Sequence, residues 1–168
     1  MGSEKLFQAL NTQLNRELSA AYLYLSMASH FDASNYSGFA TWMRAQSSEE
    51  NQHAMKFWDH IYSRGGKVEL LAIDKPRSEF HSPLDAFEAA LHAEKANTEE
   101  IHKLYELAVG EKDYPAQVFL NWFIQEQVEE EDSAQKLVDR LKQIGDSTSA
   151  LLMLDRELGQ RGTEGTGV

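Results

Sequence analysis

Apolar residues return every three or four positions along nearly the whole chain, which is the period of an α-helix burying one face. Leu6, Leu10, Leu14, Ala21, Ala28 and Phe31 mark a first helix from about Ser3, a good N-cap, to Phe31. A polar connection over 32–37 leads to a second helix, from about Ser37 to Arg64, halted by Gly65 and Gly66. Residues 67–81 carry Pro76 and no helical period, and so predict a crossover, long enough in a compact domain to need a reason. Ser82 and Pro83 open a third helix that runs to about Val109, before Gly110. A turn through Glu111, Lys112 and Asp113 passes Pro115 into a fourth helix ending near Ile144 and Gly145, and Ser147 or Thr148 caps a short fifth helix to about Leu158.

The fold class is therefore all-α: a four-helix bundle whose one long crossover lets the second and third helices run parallel, plus a short C-terminal helix. Leu151, Leu152, Met153 and Leu154 make that last helix apolar enough to expect cover from a partner subunit. Residues 1–160 read as one domain. The Gly/Thr-rich residues 161–168 read as a disordered tail, and they and the first three residues as appended sequence.

Polar residues interrupt the seams near the helix midpoints. In the fourth helix, Ala116, Leu120, Phe123, Gln127, Glu130, Ala134, Leu137 and Leu141 alternate like a bundle seam, yet Gln127 and Glu130 are polar. Glu94 interrupts the third helix and Glu17 the first, with Tyr24 two turns beyond it. The stripe of Phe39, Met43, Phe57 and Ile61 in the second helix passes through Gln46, Glu50 and His53. Antiparallel packing brings these groups to one height, where uncompensated charge would cost several kcal/mol per group. No Lys or Arg lies in the seams at that height, which leaves metal ions. Carboxylate and imidazole suit first-row ions, and Glu50 and His53, three apart on one helix face, can share one. Glu49, Glu126 and Glu129 lie beside the seam and could form an outer ion site. His30, His60, His81, His92 and His102 lack paired spacing, and Trp42, Trp58 and Trp122 read as packing.

Composition narrows the chemistry further. The 168 residues contain no Cys, which excludes disulfide, zinc-thiolate and iron–sulfur chemistry. A net charge of −11 argues against nucleic acid as a partner and suits attraction of cations. No apolar run is long enough to span a membrane and no apolar leader is present, so a soluble, cytoplasmic protein is expected.

Over about residues 4–160 the sequence resembles the non-haem ferritins of bacteria and archaea. The resemblance is carried by Gln13-Leu-Asn-Arg-Glu17-Leu with Tyr24, Glu49-Glu50-x-x-His53, Glu94, and Glu126-Gln127-Val-Glu129-Glu130-Glu131. It implies an iron-storage protein with ferroxidase activity. Glu17, Glu50 and His53 would hold one iron and Glu50, Glu94 and Glu130 a second, with Gln127 and Tyr24 beside the pair. Glu49, Glu126, Glu129 and Glu130 match an additional iron site. The implied assembly is a shell of 24 subunits with the fifth helices gathered at four-fold axes, and the implied partners are Fe(II) and O2 or H2O2. Bacterioferritins carry a second Glu-x-x-His on the fourth helix and a haem-binding Met after the second-helix Glu. Here those places hold Gln127-Val-Glu-Glu130 and Asn51, so no haem is expected. Where animal ferritins line an entry channel with acids, Gln117 and Leu120 stand instead, which directs attention to Glu111 or Asp113. Two other readings compete: a di-iron redox enzyme without storage, and an inert bundle whose polar seam sets helix register.

Overall fold

The computed structural model describes residues 2–161. Its helices are α1 (Glu4–Ala33), α2 (Ser37–Ser63), α3 (Pro83–Gly110), α4 (Tyr114–Ile144) and α5 (Thr148–Leu158). The helix starts follow the capping residues. Ser3, Ser82, Asp113 and Ser147 each accept a backbone N–H from the first turn of the helix that follows, and Pro83 and Pro115 fill first-turn positions whose missing N–H would have no partner anyway. Gly65, at φ 80°, supplies the left-handed residue after α2, while Gly66 N–H bonds back to Ile61. The expected tail is described only at Arg161, a turn residue that packs on the bundle; residues 162–168 lie outside the described residues.

Two apolar clusters form the interior. One gathers the start of α1 (Leu6, Leu10, Leu14), the end of α2 (Ala54, Phe57, Ile61), the end of α3 (Ile101, Leu104, Ala108) and the start of α4 (Ala116, Leu120, Phe123). The other gathers the opposite ends, including Met27, Phe31, Phe39, Met43, Phe87, Leu137 and Leu141. This pairing of ends makes α1 antiparallel to α2, α3 antiparallel to α4, and α2 parallel to α3, as the long crossover requires. Between the clusters lies a layer of buried polar side chains: Gln13, Glu17, Gln46, Glu50, His53, Glu94, Gln127 and Glu130.

The crossover, residues 64–82, has no helix but is fastened to α1. Asn11 and Asn15 act as surrogate backbone: Asn11 exchanges two hydrogen bonds with Glu69, and Asn15 donates to Glu69 O and accepts from Leu71 N–H. Ser26 donates to Arg77 O at 2.8 Å. Val68 and Phe80 plug the two ends of the segment into the core.

Of the apolar run in α5, Leu154 is buried against the same chain together with Leu158, Leu151 packs partly, and Leu152 and Met153 stay exposed. The docking of α5 depends on Gly38, where an added Cβ would stand 1.6 Å from Asp155 O. Asp155 also accepts the Phe39 N–H at 2.9 Å, serving the start of α2, whose own N-cap residue Tyr36 makes no side-chain cap.

Candidate metal centre

Every seam residue predicted to carry chemistry reaches the polar layer. Three sets of side chains bring ligand atoms within 4.8 Å of one another: Glu17 with Glu50 and His53, Glu50 with Glu94 and Glu130, and His53 with Glu126 and Glu130. Glu50 belongs to the first two and so lies between them. The 3.6-residue turn explains the Glu50–His53 pair, whose Oε2 and Nδ1 are 3.3 Å apart on one face of α2. His53 Nδ1 is also 3.8 Å from Glu17 Oε2, and its Nε2 points away, toward Glu126 Oε1 at 4.0 Å.

A shell of amides and hydroxyls orients the carboxylates. Gln13 donates to Glu17 Oε1 at 2.8 Å and to Asn97 Oδ1 at 2.7 Å. Tyr24 donates its hydroxyl to Glu94 Oε1 at 2.5 Å, and Gln127 Nε2 lies 3.2 Å from Glu94 Oε2 and from Thr98 Oγ1. Gln46 donates to Glu130 Oε2 at 2.9 Å. Of these, Gln46 is visible in the sequence as a polar seam position. Gln13, one turn before Glu17, opens the motif that carries the resemblance but has no role assigned by it, and nothing in the sequence separates Asn97, three residues after Glu94, from a surface amide.

The shell leaves atoms over. Glu17 Oε2, Glu50 Oε1 and Gln127 Oε1 are buried with no hydrogen-bond partner. An acceptor in that position costs about 1–3 kcal/mol, more when charged, unless a cation or proton meets it. Among the described residues no Lys or Arg pairs with Glu17, Glu50, Glu94 or Glu130.

The electrostatics follow from this crowding. Burial, reinforced by the Glu94 and Glu17 charges, pushes the Glu50 carboxyl well above the usual range. Burial and the Glu94 charge push Glu130 up to about 8, against the Gln46 hydrogen bond. Glu94 is also raised by burial, with Tyr24 and Gln127 opposing. Glu17 runs the other way: burial raises it, but the proximity of His53 and Glu50 and the Gln13 hydrogen bond outweigh that and leave it below its ordinary value. Burial would lower His53, yet Glu17 holds it above its usual value, and burial with the Glu94 and Glu50 charges keeps the Tyr24 phenol neutral. Burial and mutual repulsion thus favour the protonated forms of Glu50, Glu94 and Glu130, and a divalent ion entering the layer would compete with those protons.

Four helices thus deliver two carboxylate-rich pockets that share one Glu. Residues 7–144 match the family described as Ferritin-like domain. The chain is 40% identical over 161 residues to the bacterial non-heme ferritin of Staphylococcus aureus, covering 96% of this chain and 97% of that protein. The chain belongs to the ferritin family.

Within that family this ferritin groups with the prokaryotic non-haem members. The Staphylococcus haemolyticus non-heme ferritin is likewise 40% identical over 161 residues, 96% of this chain and 97% of that one. Among solved structures, the open-pore ferritin of the archaeon Archaeoglobus fulgidus superposes with a TM-score of 0.95 at 50% identity, covering 96% of this chain and 99% of that one. A form of the same protein engineered to be closed gives the same TM-score and identity, with 96% and 98% covered.

The outer set of carboxylates is less convergent. Glu126 approaches His53 and Glu130, but Glu129 is exposed, and no metal-capable group among the described residues includes Glu129 or Glu49. Glu49 instead meets Arg161 Nη2 at 3.0 Å. That cation comes from beyond α5, outside the seams, and no sequence periodicity announces it. Of the acids considered for ion entry, Asp113 is committed elsewhere: it accepts two hydrogen bonds from Arg64, at 3.0 and 2.9 Å, and caps α4. Glu111 accepts from Ser3 Oγ, Leu120 is buried in the core, and Gln117 reaches Ala108 O. His60 stacks on Phe119 and His30 packs edge-on against Phe80, consistent with structural roles. No helix among the described residues is long and apolar enough to cross a membrane.

Proposed function

We propose that this ferritin stores iron, and that Glu17, Glu50, His53, Glu94 and Glu130 form a ferroxidase centre where two Fe(II) ions are oxidised together. The observation that carries this reading is the pair of buried pockets sharing Glu50, with unpartnered carboxylate oxygens and, among the described residues, no Lys or Arg to balance them. Glu17, Glu50 and His53 take one Fe(II), and Glu50, Glu94 and Glu130 take the other. Hard carboxylate donors favour Fe(III) over Fe(II), and their one- or two-oxygen binding lets the product leave. Two Fe(II) give two electrons to O2, which takes two protons to become H2O2; with H2O2 as oxidant, the same two electrons and two protons yield two waters. The protons that Glu50 and Glu130 hold in the metal-free layer leave as the ions enter. Gln127 and Tyr24 act by steadying Glu94. Glu49, Glu126, Glu129 and Glu130 provide an outer iron site on the product's way to the mineral.

A homo-oligomeric shell of 24 chains in the cytoplasm completes the proposal, and the surface is consistent with extensive self-association. Tyr22 and Leu25 on α1 and Leu70, Leu71 and Ile73 on the crossover are exposed, as are Leu152 and Met153 on α5. The test is anaerobic Fe(II) titration followed by oxygen, monitored by near-ultraviolet absorbance, on wild type and Glu50→Ala/His53→Ala, with the assembly mass measured in parallel. Rapid oxidation of two or three Fe(II) per chain, lost in the variant while the shell persists, is expected. A small oligomer turning over an organic substrate would favour a di-iron enzyme, and no stoichiometric iron phase would leave an inert bundle.

A further inference from the structure

Arg161, in the turn after α5, is anchored at three points. Its guanidinium lies over the Trp42 ring, 4.9 Å from the centroid, and its Nη2 donates to Gln46 Oε1 at 2.5 Å and Glu49 Oε1 at 3.0 Å. The other end of the same Gln46 amide donates to Glu130 Oε2. By holding the amide oxygen, Arg161 fixes which end of Gln46 faces the metal centre. The hold is releasable, because Arg161 Nη1 is buried with no partner and gains water on leaving. The placement follows from α5, whose contact at Gly38 sets the position of the turn after it.

We propose that Arg161 is a resident cation of the outer site, occupying the Glu49 carboxylate until a third metal ion displaces it. This rests on the reading of Glu49, Glu126, Glu129 and Glu130 as that site. A guanidinium cannot shed its proton to make way, so it and a divalent ion compete for one oxygen. Binding at the outer site is therefore weaker than the carboxylates alone would give, and it is coupled to release of the turn after α5. The two inner ions do not use Glu49 and meet the release of Arg161 only through Gln46 and Glu130.

The test uses redox-inert Zn(II) on the assembled protein. Calorimetry counts the ions and their affinities, and hydrogen exchange with mass spectrometry follows residues 152–161. Wild type is expected to bind two ions tightly and a third weakly, the third accelerating exchange in that segment. In Arg161→Ala the third ion binds about fivefold tighter, the scale of a half-exposed ion pair, with no further change in exchange. Adding Glu49→Gln to Arg161→Ala abolishes the gain. An unchanged third affinity in Arg161→Ala, or a gain that survives Glu49→Gln, overturns the proposal while leaving the two inner sites intact. Absence of two tight sites in wild type overturns the reading of the metal centre itself, and this proposal with it.

Discussion

Replacing Glu130 by Gln should make the metal-free protein more stable at neutral pH, though it removes a native carboxylate. The folded state holds the Glu130 proton to about pH 8, against an ordinary value of 4.5. The folded form therefore binds more protons than the unfolded form between those values, and its stability is fullest below 4.5 and falls as pH rises through 8. At pH 7.5 the difference spans three pH units, which at about 1.4 kcal/mol per unit sets an upper bound of about 4 kcal/mol. A Gln side chain can still accept from Gln46 through its amide oxygen, so that contact is kept. Allowing for relaxation of the neighbouring carboxylates, a net gain of about 2 kcal/mol is expected, or roughly 4–8 °C in Tm for a chain of this size. At pH 5 the same substitution should be worth less than about 1 kcal/mol. The assay is thermal unfolding in chelator at pH 5.0 and 7.5, at one protein concentration, then repeated with Zn(II). Zn(II) should raise the Tm of wild type more than that of Glu130→Gln. A variant less stable than wild type at pH 7.5 without metal, or one equally stabilised at both pH values, would refute the view of the layer as a pocket that resists ionisation of Glu130.

Three other substitutions probe the surroundings. Tyr24→Phe removes the 2.5 Å hydrogen bond to Glu94, and Zn(II) affinity at the Glu50/Glu94/Glu130 pocket should fall about tenfold by calorimetry, with secondary structure unchanged. Gly38→Ala places a Cβ against Asp155 O, and detaching Leu154 and Leu158 forfeits about 2 kcal/mol of burial each. Limited proteolysis should then cleave within 145–161 at a rate wild type does not show. The Arg64 hydrogen bonds hold the Asp113 carboxyl below its ordinary value despite burial, so its stabilisation is present above pH 3.8 and lost as pH falls through the lowered value. Asp113→Asn should cost about 1–2 kcal/mol at pH 7 and proportionally less below pH 3, as read by denaturant titration.

The helices and the inner pockets were legible because both obey a period. Glu17, Glu50, His53, Glu94 and Glu130 are seam positions, and a seam position is buried whatever residue fills it, so polarity there is informative. Caps such as Ser3 and Ser82 betrayed the boundaries for the same local reason. What escaped lies off that period. Asn97 and Arg161 touch the site only because three-dimensional packing carries them there, whereas Gln13 stands one helical turn before Glu17 beside the seam, and an amide or guanidinium on a helix flank looks like any solvated residue. The fifth helix was legible only in part: Leu154 and Leu158 are four apart and face the bundle, but a contiguous apolar run hides that spacing. The outer carboxylates also read as a set from their order along the chain, whereas exposure separates Glu129 from Glu126 and Arg161 claims Glu49.

The fastening of the crossover by Asn11, Asn15 and Ser26 bears on how copies of the chain come together. A free loop of this length would lose about 1–2 kcal/mol of backbone entropy for each residue frozen at an interface. Here Leu70, Leu71 and Ile73 stand exposed on a segment whose backbone is already bound to α1. The ordering cost falls on the folding of the single chain and not on association. In the proposed shell each subunit would then meet its neighbour with a stiff apolar ridge, and the free energy released by covering that ridge would go into holding the assembly together.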